Sequence, residues 1–511
     1  PPPNTEIFLL FMCFFDKYNS QDTIYYVILP PEVRSLVKDR YFKRNMNIRD
    51  LKNASDVKAY LDASNAQYIK VAITDIDGVL RGKYMHKDKF LKATQSGFGF
   101  CDVIFGWDSN DELYQFEAKE GKSLFTGWHT GFPDTKVSII PESGRHIPFE
   151  KNTPLFLAEL LNGEVCPRST LKKVLDRLED LGYKSKSAFE YEFFLFNESP
   201  SSIREKRFKG LNNFTPGMYG YSVLRNSVNA DLYHQLLDMC LAMDMPLEGL
   251  HTETGPGVLE AAIMVDESLM SADKASLFKT FTKVIAQRNE LMANFMAKWS
   301  ELYPGQSGHI HVSLLDLDEQ PVFASTKTDD IPEQMLFFIG GLQKYMRELS
   351  VMYAPTVNSY NRLCPGAWAP INMTWGIENR TTAFRAIQGG PTSQRIENRL
   401  AGADANPYLA LSATLGAGLL GIEEKINPTK PIKGGAYDIK VPKEHRVPLN
   451  LGESAELFYK SVAARSLFGD TFVDHFADSR NWEYSEYKKE RKFLETDKIS
   501  NWELSRYFEI I

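Results

Sequence analysis

The sequence predicts an α+β fold in two domains that follow a short leader. Two period-two runs near residues 68–86 are interrupted by Asp77-Gly78, a pattern typical of a β-hairpin. From about residue 167 onward, amphipathic helical segments alternate with apolar strand-like runs. The 511 residues suffice for two or three domains. We therefore expect a small β-rich N-terminal unit followed by a larger mixed domain.

The expected domain boundaries follow changes in composition. Residues 1–64 form a leader with short helical segments, and its apolar run at residues 7–15 is too short for a bilayer, which needs about 20 residues. We interpret this run as a buried strand or an anchor for a neighbouring subunit. Residues 65–150 contain the hairpin and then a stretch rich in Gly, Trp, Phe and Pro. Residues 151–511 form the larger domain.

The larger domain is expected to open with a helix that has Pro167 near its start and Gly182 at its end. The strand-like runs SAFEYEFFLF, LHTETGPGVLEAAIM and GHIHVSLLD then alternate with expected helices near 227–244 and 272–298. The Gly-Pro-Gly at 255–257 lies between two such runs, which indicates a tight strand connection. No glycine-rich phosphate loop follows a strand, and this disfavours a doubly wound nucleotide-binding sheet.

The composition restricts the binding partners and the cellular compartment that we expect for this protein. Asp and Glu outnumber Lys and Arg by 66 to 59, and the net charge of −7 offers no general attraction to nucleic acid or to an anionic membrane. The five cysteines are an odd, scattered number without a CxxC pair, as expected in a reducing compartment. We predict a cytoplasmic protein that binds neither nucleic acid nor membrane.

Two pairs of acidic residues stand in segments that are otherwise apolar. Glu190 and Glu192 alternate within residues 188–196, so in a strand both side chains point to one face, about 7 Å apart. Glu253 and Glu260 bracket the Gly-Pro-Gly connection and would face each other if the two runs pair. A solvated strand edge would also explain such acids, but the apolar residues after Glu192 argue for a buried strand.

Two further segments, GHIHVS and RIENR, alternate polar residues in the same way. Period two places three side chains of each segment on one face: His309, His311 and Ser313 in the first, and Arg395, Glu397 and Arg399 in the second. Taken singly, the first segment is also consistent with histidines in the core or on the surface, and the second with an ion-pair ladder.

The acidic strands and the arginines together indicate one kind of chemistry. Carboxylates cannot be buried unpaired without a large cost in free energy, so they call for cations. Oxygen-rich sites with an imidazole suit Mg²⁺ or Mn²⁺ better than zinc. Arginines beside such metals clamp phosphates during phosphoryl transfer. The residues thus suggest a nucleotide-dependent ligase or kinase.

The order of the motifs resembles the glutamine synthetase family. The similar segments are AFEYEFFLF, HTETGPGVLEAAI, GHIHVSL, NSYNRLCPGAWAP, ENRTTAFRAI and RIENRLAGADANPYLALSA, with TDIDGVLRGKYM near the start. The resemblance covers residues 65–511. It implies an N-terminal β-grasp domain and a catalytic domain built on an antiparallel sheet with flanking helices. It further implies ATP and two Mg²⁺ or Mn²⁺ ions as cofactors.

The resemblance also implies a role for each matching residue. One metal ion would be held by Glu192, Glu253 and Glu260, and the other by Glu190, His309 and Glu397. Glutamate would contact Gly305, Arg362 and Arg399. ATP and its phosphates would contact His311, Ser313, Arg380, Arg385 and Arg395. The implied catalytic residues are Arg362, Arg380, Arg399 and Asp102, with Asp102 supplied to a neighbouring subunit's site.

One departure from the family pattern bears on the substrate. Ammonium-using members have a glutamate where this chain has Trp368, and that acid binds and deprotonates ammonium. An indole accepts no proton, but it offers an apolar wall or a cation–π face to an alkylammonium group. We therefore expect the branch that joins glutamate to organic amines: a polyamine, ethanolamine or a monoamine. A glutamine synthetase that uses ammonium and a non-catalytic structural homologue remain the alternatives.

Smaller departures and the assembly complete the predictions. Trp299 after Lys298, Pro304 and the bulky Gln306 differ from the usual residues near the glutamate and nucleotide sites. Tyr437 matches a tyrosine that some bacterial members modify, a regulation we do not expect here. The resemblance implies a homo-oligomer of stacked rings, either a dodecamer of two hexameric rings or a decamer, with sites between adjacent subunits.

Overall fold

A computed structural model describes residues 46–115, 124–325, 331–366, 368–491 and 498–511 of the chain. The apolar run at 7–15 and the leader before residue 46 lie outside the described residues. Two β-sheets with helices packed around them make up the described chain. This arrangement confirms the predicted mixture of α and β structure.

The first sheet contains six strands within the described residues and holds the predicted hairpin. Its strands are β1 (Tyr68–Thr74), β2 (Leu80–His86), β3 (Phe98–Cys101), β4 (Asp134–Ile139), β5 (Arg145–Ile147) and β6 (Thr153–Leu160). The order is β2-β1-β6-β4-β3, with β5 against β6. Only the β1–β6 pairing among these is parallel. The sheet therefore extends to Leu160, past the boundary expected near residue 150.

The turn of the β1–β2 hairpin explains the interruption seen in the sequence. The carboxylate of Asp75 accepts the backbone N–H groups of Asp77, at 3.0 Å, and Val79, at 2.9 Å. Gly78 adopts a φ of +85°, which glycine tolerates without strain. The predicted hairpin is confirmed.

The second sheet is the platform of the candidate site. Its nine strands within the described residues are β7 (Tyr183–Phe196), β8 (Leu247–Thr252), β9 (Val258–Ile263), β10 (Asp266–Glu267), β11 (Met292–Asn294), β12 (Gly308–Asp316), β13 (Trp375–Ile377), β14 (Phe384–Ile387) and β15 (Arg395–Asn398). The order is β13-β14-β15-β12-β7-β9-β8, and β10 and β11 also pair with β7. All of these pairings are antiparallel except β13–β14.

The described residues form fourteen α-helices, some of which begin at signals that the sequence carries. They are α1 (Ala54–Ala63), α2 (Lys87–Ser96), α3 (Pro167–Asp180), α4 (Pro200–Glu205), α5 (Val223–Val228), α6 (Ala230–Ala242), α7 (Ser268–Arg288), α8 (Glu333–Tyr345), α9 (Ser359–Arg362), α10 (Pro407–Glu423), α11 (Leu451–Lys460), α12 (Val462–Phe468), α13 (Asp470–Arg491) and α14 (Asn501–Tyr507). Asn53 caps α1, and Pro167 opens α3 as expected. No described helix combines the length and the apolar character that crossing a bilayer requires.

The core lies between the second sheet and its helices. Helix α10 is buried from Pro407 to Gly421, as expected of a helix that is apolar on every side, and it packs against α3, α7 and α8. On the helix-facing side of the sheet, Tyr191 stacks between Phe189, at 5.8 Å between ring centroids, and Phe278 of α7, at 6.1 Å. The acidic residues of β7 alternate with these rings and so point the other way.

Two helix predictions need correction. The helix expected at 272–298 ends at Arg288, and Glu290 then takes a φ of +59°. The chain turns there because β11 completes a ladder with β7, a tertiary pairing that helical periodicity does not reveal. The helix expected near 227–244 is divided at Asn229 into α5 and α6. The Gly-Pro-Gly segment joins antiparallel β8 and β9, as predicted.

Candidate active site

A cavity of about 650 Å³ opens on the polar face of the second sheet. It gathers twelve of the predicted site residues: Glu190, Glu192, Glu253, Glu260, Gly305, His309, Arg362, Trp368, Arg380, Arg385, Glu397 and Arg399. An adjoining cavity of about 290 Å³ shares Glu190 and is lined by three others: His311, Ser313 and Arg395. Asp102 lines neither cavity and lies in the turn after β3.

Strand register explains why residues so far apart in the sequence meet in this cavity. Glu192 lies opposite Glu260, and Glu260 lies opposite His251, which places three side chains in one row across β7, β9 and β8. In the neighbouring row, Glu190 of β7 lies opposite His309 of β12. Residues directly opposite each other share a face, and so do residues two apart along a strand, so the rows combine into one polar surface.

A third row on the same face joins β12, β15 and β14. His311 lies opposite Glu397, and Glu397 lies opposite Arg385. The predicted alternation of His309 with His311, and of Arg395, Glu397 and Arg399, is thereby confirmed as a shared face.

Imidazoles and carboxylates meet at the centre of the cavity. His309 Nδ1 lies 3.3 Å from Glu397 Oε1 and 3.7 Å from Glu190 Oε2, and His311 Nε2 lies 3.1 Å from Glu190 Oε1. Burial and the charge of Arg399 lower the pKa of His309 to about 4. Burial opposes ionisation of Glu397, but Arg399 and the two histidines hold its pKa at about 2. At neutral pH this group therefore presents carboxylates and a neutral imidazole.

A second group lies at the β8–β9 end of the cavity. The Nε2 atom of His251 lies 3.6 Å from Glu253 and 3.8 Å from Glu260. Burial, together with the nearby charges of Glu192 and Glu190, raises the pKa of Glu260 to about 9. Burial also raises the pKa of Glu192, although the Ser307 N–H donates to its carboxylate at 2.7 Å.

The donor atoms of both groups fit hard divalent cations. Glu190, His311 and Glu397 form one set of three groups with ligand atoms within 4.8 Å of one another, and His251, Glu253 and Glu260 form another. The Nε2 atom of buried His309 has no hydrogen-bond partner among the described residues. Carboxylate oxygens with a neutral imidazole are ligands that Mg²⁺ and Mn²⁺ accept.

Arginines border the carboxylates on the β14–β15 side. Arg385 Nη1 donates to Glu397 Oε2 at 2.9 Å, and Arg399 donates to the other oxygen of the same carboxylate. Arg395 Nε lies 3.1 Å from His311 Nδ1 in the adjoining cavity. Such guanidinium groups bind phosphate oxygens and stabilise negative charge that develops during transfer.

Comparison with known proteins shows the family to which the chain belongs. Residues 164–507 match the glutamine synthetase catalytic domain. The chain belongs to the glutamine synthetase family. Members of this family use ATP and divalent metal ions, which agrees with the carboxylates and arginines of the cavity.

Relatives within the family differ in their named activities. The chain is 42% identical to type-1 glutamine synthetase 2 of Dictyostelium discoideum, over 90% of this chain and 87% of the relative. It is 36% identical to the glutamate–isopropylamine ligase of a Pseudomonas species, over 91% and 100%. It is 31% identical to a gamma-glutamylethanolamide synthetase of Streptomyces coelicolor, over 89% and 95%.

A solved structure described as ligand-free GmaS shares the fold. It superposes with a TM-score of 0.73 at 23% identity, over 88% of this chain and 99% of that one.

Two aromatic residues stand at the mouth of the cavity of this family member. Trp368 is 60% exposed with a φ of +57°, and Tyr221 is 70% exposed with a φ of +55°. Tyr221 also stacks on His251, with ring centroids 4.3 Å apart. Both rings reach the cavity from loops, and both backbones adopt a conformation that L-residues rarely take.

Sequence reasoning missed Tyr221 and His251. His251 alternates with Glu253, so period two could have placed it on the acidic face. Tyr221 lies between helices and strands without periodicity, and only the tertiary structure reveals its position.

Gly305 and the unusual Gln306 beside it both have structural reasons. A Cβ at Gly305 would lie 2.6 Å from the Ala297 carbonyl oxygen and 2.7 Å from Arg362 Cγ, so only glycine fits. The buried amide of Gln306 accepts the Phe194 N–H at 2.7 Å and donates to Asn294 at 3.0 Å. Gln306 therefore joins the sheet to the loop before β12 rather than entering the cavity.

Proposed function

We propose that this chain joins the γ-carboxylate of glutamate to an organic amine, at the expense of ATP. The observation that carries the proposal is Trp368 at the cavity wall. The family resemblance implies a glutamate at this position in ammonium-using members. A primary alkylammonium group can pack against the indole, whereas ammonium would lose the carboxylate that binds it. The two relatives named for isopropylamine and ethanolamide support this assignment.

The reaction has two steps. An oxygen of the glutamate γ-carboxylate attacks the γ-phosphorus of ATP, and ADP leaves with the electrons of the broken P–O bond. The alkylammonium group then gives one proton to a carboxylate, a role that we assign to Asp102 of a neighbouring subunit. The neutral amine nitrogen attacks the acyl carbon of γ-glutamyl phosphate, and inorganic phosphate leaves with the electrons of the broken C–O bond and takes up the second proton from the nitrogen.

We assign the following roles to this chain's own residues. Two Mg²⁺ or Mn²⁺ ions, when bound, neutralise charge on the phosphates and on the γ-carboxylate. One would be held by Glu192, Glu253 and Glu260, and the other by Glu190, His309 and Glu397. Arg362, Arg399 and Gly305 hold glutamate. His311, Ser313, Arg380, Arg385 and Arg395 hold ATP, and Arg380 also stabilises charge on the transferring phosphoryl group.

The domain organisation and assembly form part of this proposal. We assign the first sheet to a β-grasp domain that starts near residue 65 and includes β6. The buried Oδ1 atom of Asp102, in the turn after β3, has no hydrogen-bond partner among the described residues, and Asp102 lies outside its own chain's cavity. Stacked rings, as a dodecamer or decamer in the cytoplasm, would give it a neighbouring site to complete.

One assay tests the proposed function. Phosphate release from ATP and glutamate is measured with ammonium, putrescine, ethanolamine and isopropylamine, each with Mg²⁺ or Mn²⁺. We expect the highest kcat/KM with an organic amine. Turnover of ammonium above every organic amine would instead identify a glutamine synthetase, as the name of the Dictyostelium relative suggests. No metal-dependent ATP cleavage with any amine would identify a non-catalytic homologue.

A charge-neutral variant tests the metal ligands. Glu260→Gln removes one of the mutually repelling carboxylates, so we expect the metal-free protein to melt no earlier than the parent. Saturating Mg²⁺ should raise the Tm of the parent by about 2–5 °C, and this rise should vanish in the variant. Differential scanning calorimetry with and without Mg²⁺ measures both. An unchanged Mg²⁺ response would remove Glu260 from the metal site.

A buried carboxylate outside the cavity supports the turn that carries Arg362. Glu503 of α14 accepts the side-chain amides of Asn358, at 3.0 Å, and Asn361, at 2.9 Å, on either side of the start of α9. Arg362, the last residue of α9, donates to the backbone carbonyls of residues 399 and 400. Glu503 therefore acts as a positioning residue for the arginine that we assign to glutamate.

Loss of Glu503 should weaken glutamate binding more than it slows turnover. We expect Glu503→Ala to raise the KM for glutamate about tenfold with a smaller fall in kcat. Glu503→Gln keeps an acceptor for the asparagines and should recover part of the loss, and Ser505→Ala on the exposed side of α14 is the control. Equal losses in KM and kcat for all amines would indicate general destabilisation instead.

A further inference from the structure

A separate cavity of about 410 Å³ lies where the turn of the β1–β2 hairpin meets helix α7 and residues 509–511. None of the residues that line it lines either cavity of the candidate active site. The turn contributes residues 77–80, including the apolar side chains of Val79 and Leu80. The cavity thus lies between the first sheet and a core helix of the second.

Helix α7 presents a row of cations to this cavity. Its lining residues recur at the spacing of one helix face and include Lys279, Lys283 and Arg288. Lys279 and Lys283 are four residues apart, so their stems lie on adjacent turns of the helix. Val284 lies beside them and adds an apolar surface.

The anions of the same cavity are already neutralised by other partners. Asp77 pairs with Arg480 at 2.7 Å, and Glu509 pairs with Arg204 at 2.6 Å. Among the described residues, Lys279, Lys283 and Arg288 form no salt bridge within 4.0 Å. The cavity therefore offers three basic side chains that have no salt-bridge partner among the described residues.

The two lysines are poorly satisfied as donors. Lys279 is only 5% exposed, and its ammonium group, which has three N–H donors, makes one long hydrogen bond of 3.4 Å, to the Ala405 carbonyl. Lys283 donates to the carbonyl of Ile510 at 2.7 Å. Burial lowers the pKa of Lys279 to about 8, although the charge of Asp404 opposes this shift. Burial, together with the charge of Lys279, also lowers the pKa of Lys283.

We propose that this cavity binds a small organic anion, whose carboxylate or phosphate group contacts Lys279 and Lys283 and whose apolar body packs against Val79 and Val284. An anion there would complete the hydrogen bonds of both amino groups and stabilise their charged forms. It would also connect the hairpin of the first sheet to α7. The proposal does not depend on the amine that the active site uses.

Residue-specific labelling of the unmodified protein tests the proposal. Lysine acetylation by a small acylating reagent is quantified by mass spectrometry with inorganic phosphate, hexanoate or neutral 1-hexanol present. We expect phosphate or hexanoate to slow the acetylation of Lys283 and Lys279 by about threefold or more. Exposed Lys58 and Lys460 should be unaffected. Because the readout is specific to each lysine, phosphate bound in the active cavity does not contribute to it.

The three added compounds distinguish a carboxylate ligand from a phosphate ligand, and they also include the results that would overturn the proposal. Protection by hexanoate assigns a carboxylate, and protection by phosphate alone assigns a phosphate group. Protection by neither, or equal protection by 1-hexanol, would overturn it. As a second measurement, made with saturating ATP and Mg²⁺ so that the active cavity is occupied, Lys283→Met should lose the anion-induced rise in Tm seen with the parent, whereas Lys460→Met should keep it.

Discussion

Glu397→Ala is expected to lower ATP-dependent ligation by more than about 100-fold while the assembly survives. Glu397 is 1% exposed and is paired with His309, Arg385 and Arg399 at the centre of the cavity. Its removal takes away a residue that we assign to the metal site and leaves the two guanidinium groups without the carboxylate that orients them. Phosphate release with glutamate and the preferred amine measures the effect, and size-exclusion chromatography reports the assembly.

A matched control separates this role from the loss of an ion pair. Glu378 also pairs with Arg385, at 2.5 Å, but does not line the cavity. Glu378→Gln should therefore retain most of the activity. Unaltered turnover in Glu397→Ala would contradict the metal assignment, and loss of the assembled species would show that Glu397 serves folding instead.

Trp368→Glu is expected to shift the preference between amines toward ammonium by at least about tenfold. The substitution removes the indole wall and puts back a carboxylate that can bind ammonium and accept its proton. The ratio of kcat/KM for ammonium to kcat/KM for the best organic amine measures the shift. Because Trp368 is 60% exposed, the substitution leaves the core intact.

Trp368→Phe is the matched control for that experiment. Phenylalanine keeps an aromatic wall without an acid, so the organic amine should remain the better substrate. An unchanged ratio in Trp368→Glu would show that Trp368 does not line the amine pocket. In that case Tyr221 would be the aromatic wall to test next.

Local sequence patterns predicted those parts of the fold and site whose signals lie within a single element, such as the alternation of side chains along a strand. The hairpin around Gly78, helix α3 and strand β12 lie where the sequence indicated. Glu190 and Glu192 share a face, as do His309 and His311, because alternation along a strand needs no tertiary information. The ligand sets and the arginine roles came from the resemblance, and they remain predictions.

The remaining parts depend on contacts between distant segments. The end of α7 at Arg288 is set by the pairing of β11 with β7, which no helical pattern contains. Glu503 reaches the turn before Arg362 across some 140 residues of sequence, as its bonds to Asn358 and Asn361 show. Tyr221 stands in a loop, where side-chain direction follows from the surrounding structure alone.

The cross-strand rows determine how a molecule with a mispaired strand loses its activity. A slip of β12 by one residue against its neighbours would turn Ile310 and Val312 into the cavity and bury His309 and His311 in the apolar layer. Both faces would then be wrong at once, so a misregistered molecule has no partial activity. The specific activity recovered after refolding is therefore expected to be proportional to the fraction of molecules in which β12 is paired in the correct register. For the same reason, insertions or deletions of one residue within β12 should be tolerated far less than substitutions there.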